Sequence, residues 1–127
     1  MSGVDAAEEW LNDWAGRANA DALRSVELSR RVAALTAAAE GHDGAIRLTV
    51  GSAGQIERLE LDDRVRELSG PRLAEEIVSV MRKAQAGLSG RVSEEVQATV
   101  GADTETGRVV IDSFATRFPA VTREKDR

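Results

Sequence analysis

The period of the hydrophobic positions changes twice along this chain. From residue 5 to about residue 40, Leu11, Trp14, Ala18, Leu28, Val32, Leu35 and Ala39 recur at spacings of three and four. That period predicts one long amphipathic helix over 5–40. Asp21 and Ser25 interrupt the stripe, and Ala22 and Val26 shift it by one position, as in a coiled-coil-like helix with a defect. Gly41-His42-Asp43-Gly44 breaks the pattern. Over 44–61 the period becomes two: Ile46, Leu48 and Val50 alternate with Arg47 and Thr49, Gly51-Ser52-Ala53-Gly54 turns the chain, and Ile56, Leu59 and Leu61 follow. This is a β-hairpin, with a bulge expected near Glu57-Arg58 where the step from 56 to 59 breaks the alternation.

The period then returns to that of a helix. Ser69-Gly70-Pro71 is a helix start, and Leu73, Ile77, Val80, Met81, Ala84, Leu88, Val92, Val96 and Val100 form a continuous stripe over 70–100. Gly101 is a natural stop. Beyond it Asp103-Thr104-Glu105-Thr106-Gly107 is polar, Arg108–Phe114 is compatible with a third strand, and the end is charged. The expected organisation is α+β: one domain over 1–101, ordered helix, hairpin, helix, with a polar, flexible tail over 102–127.

Composition narrows the function. Aromatic residues are only 3% of the chain, so Leu, Val, Ile and Ala must make a thin core, and elongated helices bury little within one subunit. Both points favour a homodimer. Without cysteine there is no disulfide or thiolate chemistry, and one histidine, His42, cannot build a His-rich metal site. No phosphate-binding glycine loop or catalytic constellation is visible, so neither an enzyme nor a cofactor is expected. The paired carboxylates Asp62-Asp63 fall where a strand ends, the place of a turn or cap. No apolar run approaches the roughly 20 residues of a membrane span, and the first residues lack the pattern of a secretory signal. A cytoplasmic protein without membrane insertion is expected.

The net charge of −5 counts against bulk polyanion binding, which depends on Lys and Arg neutralising phosphates. A local patch or a dimer groove can still be positive on an acidic protein. Arg24, Arg30, Arg31, Arg82, Lys83 and Arg91 all lie on the two expected helices. Their ordinary role is a solvated helix face; their functional role is a set of phosphate contacts. Trp10 and Trp14 are candidates for contact with a protein partner. Trp14-Ala15-Gly16 also makes the Trp-x-Gly triplet found in small helical-hairpin substrates of type VII secretion, here inside a helix rather than at a turn.

The stretch Gly44-Ala45-Ile46-Arg47-Leu48-Thr49-Val50, followed by Gly54-Gln55-Ile56-Glu57-Arg58-Leu59-Glu60-Leu61-Asp62, resembles the YbaB/EbfC family of nucleoid-associated proteins. So does the helix that opens Leu73-Ala74-Glu75-Glu76-Ile77-Val78. The likeness covers about residues 40–101. It implies an α-β-α subunit and a tight homodimer whose strands share a sheet. It also implies helices that project like tweezers onto double-stranded DNA, and a place in the nucleoid. Ile46, Leu48, Val50, Ile56, Leu59, Leu61, Ile77 and Val80 are then the candidate core and dimer-interface residues. The chain departs from the family pattern at Asp63, where a proline is usual, and in its tryptophan-bearing first helix. Its Arg-rich, Lys-poor composition resembles that of high-GC actinobacteria, where relatives of this fold accompany type VII secretion loci. The alternative expectation is therefore an adaptor or chaperone for secretion-related proteins that does not bind DNA.

Overall fold

The computed structural model describes residues 2–120. Helix α1 spans Ser2–Ala33, strand β1 Thr36–Gly41, β2 Ile46–Gly51 and β3 Ile56–Leu61. A 3-10 turn over Asp63–Glu67 leads to α2, Gly70–Ala98, and then α3, Glu105–Arg117. The three strands form one antiparallel sheet in the order β1-β2-β3. The α+β class and the helix, hairpin, helix order follow the hydrophobic periods.

The hairpin of β2 and β3 lies where the alternation placed it. Its register pairs Ile46 with Leu61, Leu48 with Leu59 and Val50 with Ile56, and slips between Thr49 and Val50 so that Glu57 is the extra residue. Paired residues point to the same face of a sheet, so all six of these apolar side chains share one face. Gly54 closes the turn at φ +85°. A Cβ there would meet Phe118 Cζ at 2.5 Å, and Gln85 Nε2 donates to the Gly54 carbonyl at 2.9 Å. The turn is thereby pinned from both α2 and the end of α3.

The first helix was expected to run to about residue 40; it ends at Ala33, and Thr36–Gly41 is a strand paired with β2. Ala37-Ala38-Ala39 prefers a helix by propensity alone, but tertiary contact decides. Ala37, Ala39 and Gly41 stand opposite Val50, Leu48 and Ile46 and therefore on the core face. Their small size lets α2 lie close on the sheet. Gly87 of α2 faces Ala37 Cβ, and a Cβ on Gly41 would come 2.5 Å from Val80 Cγ2. The third strand is therefore β1, not Arg108–Phe114.

Helix α3 stands where a polar, flexible tail or a strand was expected. Thr104 caps it, its hydroxyl accepting from the Gly107 amide at 3.0 Å. Gly107, Val110, Ile111, Phe114 and Phe118 follow at helical spacing and pack on α2. The β-branched run Val109-Val110-Ile111 suggests a strand only when its neighbours are ignored. Residues 121–127 of the expected tail lie outside the described residues.

The core sits between α2 and the sheet: Ile46, Leu48, Val50, Val80, Ala84, Leu88, Val92 and Val96 are buried. Phe114 and Phe118 close one end, 6.0 Å apart between ring centroids, with the Arg117 guanidinium 5.0 Å from both. Helix α1 touches this body only through its last turns, where Leu28 is buried; residues 5–19 are exposed throughout.

Candidate nucleic-acid interface

The six basic candidates fall into two groups of different availability. On α1 every one is engaged. Arg24 pairs with Asp21 one turn before it, and Arg30 Nε donates to Glu27 at 3.1 Å. Arg31 Nε donates to the same carboxylate at 2.9 Å, while its Nη1 reaches Glu95 on α2 at 3.4 Å. These i,i+3 and i,i+4 pairs follow from helix geometry. They neutralise Arg30 and Arg31 along the helix surface, where Arg30 stays exposed.

The two guanidiniums hold the Glu27 carboxyl down, from 4.5 to about 2. A depressed carboxyl stabilises the fold above its unfolded value and loses that contribution as pH falls through its folded value. The Glu27 pairs with Arg30 and Arg31 should therefore brace the last turns of α1 at pH 5 and be lost between about pH 4.5 and 2. Solvent exposure keeps the effect small. Urea midpoints measured across that window should flatten in Glu27→Gln, while an unchanged acid slope would show that the pair does not couple to folding.

On α2 the picture differs. Lys83 Nζ donates to the Glu40 carbonyl at 2.9 Å, tying the helix to the end of β1. Arg82 and Arg91 are exposed, and among the described residues neither has a carboxylate within ion-pair distance. At 100° per residue, Arg82 stands opposite the Val80–Ala84 line that faces the sheet. Arg91 follows Lys83 along the flank nearest β1. A single α2 thus offers one outward, unneutralised guanidinium and one lateral one.

The sheet face turned away from α2 carries Glu40, Arg47, Thr49, Arg58 and Glu60. Its charges alternate in sign, with Arg58 3.0 Å from Glu60 and Arg47 3.6 Å from Glu40, and the face is not a basic patch. The Asp62 carboxyl is lowered by Arg64, which bonds it through both side chain and backbone. The paired carboxylates thus end the sheet as Asp62 caps the 3-10 turn.

The candidate core and interface residues divide cleanly. Ile46, Leu48, Val50 and Val80 are buried within the chain, and Ile77 is half-buried against them. Ile56, Leu59 and Leu61 on the same face of β3 are 45%, 42% and 43% exposed, because α2 lies over β1 and β2 and does not extend to β3. β3 is also an edge, with one side free of strand partners. An edge strand bearing three uncovered apolar residues invites pairing with another chain.

Trp10 and Trp14 are 60% and 56% exposed on the free part of α1. One surface escaped the sequence reading: a groove of about 470 Å³ between the last turns of α1 and α3, with Leu28, Val32, Val109, Val110 and Phe114 in its wall. The helical spacing of Val109, Val110 and Phe114 was its signal, masked by their strand-like composition.

No helix among the described residues is long and apolar enough to cross a membrane. No curated protein matches the chain. The model of the YbaB/EbfC DNA-binding family matches residues 17–103, from the second half of α1 through the whole sheet and α2, and the chain belongs to that family.

Proposed function

We propose that the protein is a cytoplasmic, nucleoid-associated homodimer that binds double-stranded DNA through phosphate contacts, with little direct base readout. Membership of the DNA-binding family carries the reading. The exposed apolar edge of β3 supports the dimer: two copies joined there extend one sheet and cover Ile56, Leu59 and Leu61. The unneutralised Arg82, repeated by symmetry, supports the phosphate contact. Arg24, Arg30 and Arg31 contribute less, since contact with DNA would cost each its carboxylate partner.

Each phosphate neutralised releases counterions, so log K falls with log salt at a slope of about −0.9 per contact. Titration of a duplex at several salt concentrations should give binding that weakens steeply with salt. Arg82→Ala should make the slope shallower by roughly 1.8, for two contacts per dimer. Absent binding at low ionic strength, or binding indifferent to salt, overturns the reading. An unchanged slope in Arg82→Ala removes that residue from the interface.

A second reading, an adaptor for secretion-related proteins, draws on the exposed Trp10 and Trp14. Residues 5–14 hold four carboxylates and no basic side chain, which suits a protein partner better than a phosphate backbone. Proteins co-purified from the host with wild type but lost with Trp14→Ala would favour it; identical partner sets would count against it.

A further inference from the structure

The outer face of the sheet, turned away from α2, carries its charges in rows across the strands. In one row Glu40 on β1 stands opposite Arg47 on β2, and Arg47 stands opposite Glu60 on β3. In the adjacent row Ala38 stands opposite Thr49, and Thr49 opposite Arg58. Both rows stop at β3, an edge of the sheet. There the side chains of Arg58 and Glu60 are 71% and 51% exposed, and they pair with each other along the strand.

The backbone fixes which groups of β3 face the open edge. The Asp62 amide donates to the Ala45 carbonyl at 3.0 Å, toward β2. Hydrogen-bonding direction alternates along an antiparallel strand. The amides and carbonyls of Leu59 and Leu61 therefore point away from β2, toward whatever strand adds to this edge.

A two-fold axis normal to the sheet pairs β3 antiparallel with its own copy, and the allowed registers are those that keep like faces together. An axis at Arg58 sets Arg58 against Arg58. An axis at Glu60 sets Glu60 against Glu60, and one at Leu61 sets Glu60 against Asp62 of the second copy. Like charges directly opposite are destabilising. With the axis at Leu59, each Arg58 instead meets Glu60 of the second copy, and this happens twice per dimer. The row Glu40, Arg47, Glu60 then runs on into Arg58 of the second copy with its alternation of sign unbroken. The two Leu59 residues exchange both N–H···O bonds across the axis. The flanking Arg58–Glu60 pairs are then of the non-hydrogen-bonded kind, whose side chains lie closer.

We propose that Leu59 sits on the two-fold axis of the homodimer, and that Arg58 and Glu60 select a second copy of this chain in that register. The proposal rests on the homodimer reading above. The apolar face of β3 supplies contact in several registers; these two charges decide among them.

Arg58→Glu and Glu60→Arg each set two like-charged pairs across the axis. Either variant alone should dimerise roughly tenfold more weakly than wild type at low ionic strength. Mixed in equal amounts, the two restore both opposite-charge pairs, so a heterodimer should form with near wild-type affinity. Native mass spectrometry distinguishes it from either homodimer, light scattering gives the dissociation constants, and far-UV circular dichroism checks each fold. The double exchange, Arg58→Glu with Glu60→Arg, should dimerise with itself and sort away from wild type. Three results overturn the proposal in a protein that dimerises: single variants as tight as wild type, a mixture no tighter than its components, and a Glu60→Arg dimer of wild-type strength beside a weakened Arg58→Glu. The last would move the axis to Glu60. A wild-type monomer at every concentration overturns the homodimer reading as well.

Discussion

Leu59→Glu is expected to convert the dimer to a monomer while leaving the subunit folded. Leu59 stands opposite Leu48 in the β2–β3 ladder, yet it is 42% exposed because α2 does not reach β3. In the single chain a carboxylate there can turn to solvent, and surface changes of this kind cost no more than about 0.5 kcal/mol. In a dimer joined along β3, the same carboxylate would be buried beside its symmetry mate and the apolar side chains of Ile56 and Leu61. A buried unpaired charge costs several kcal/mol. The dimer dissociation constant should rise at least about 100-fold, near 2.8 kcal/mol at 1.4 kcal/mol per decade. Light scattering at about 10 μM reads the mass, and far-UV circular dichroism checks the fold. DNA affinity should fall with the dimer, because a monomer offers half the phosphate contacts. A wild-type protein that is already monomeric, or a variant that still dimerises with wild-type affinity, would show that β3 is not the interface.

Much of this arrangement was legible in the sequence, and the failures share a cause. The β2–β3 hairpin, its bulge and α2 could be read because each carries its own period: two in Ile46–Val50, nearly four in Val80–Val96. Strand β1 was hidden because its residues are chosen for size rather than for strand propensity. Ala37, Ala39 and Gly41 are small so that α2 can approach, and alanine read alone predicts helix. Helix α3 was hidden for the opposite reason: Val109, Val110 and Ile111 prefer strands, while Phe114, Phe118 and the close seat of Gly107 against Val96 and the Gly101 carbonyl settle a helix. For the candidate site, sequence located the basic residues but not their partners. That Glu27 engages both Arg30 and Arg31 follows from spacing; that Arg31 also reaches Glu95, 64 positions away, does not.

Leu88→Ala should have the largest effect on stability. Leu88 is fully buried near the middle of α2, the helix that packs on β1, β2, α1 and α3. Removing its side chain forfeits apolar burial and leaves a cavity that the surrounding valines cannot fully close, at about 2–5 kcal/mol. That is a large share of the roughly 5–15 kcal/mol available to a domain. At about 4 °C per kcal/mol for a chain of this size, Tm should fall by roughly 8–20 °C. Val78→Ala, on the same helix at a 39% exposed position, is the control and should shift Tm by only a few degrees. Protein concentration must be held fixed, since assembly raises apparent stability by mass action. Because α2 contacts the sheet and both other helices, far-UV dichroism of Leu88→Ala should show a single transition displaced as a whole rather than early loss of one element. If α3 melted separately while the sheet kept its wild-type Tm, the core would be two cores, and residues 105–118 would form an appendage rather than a part of the folded unit.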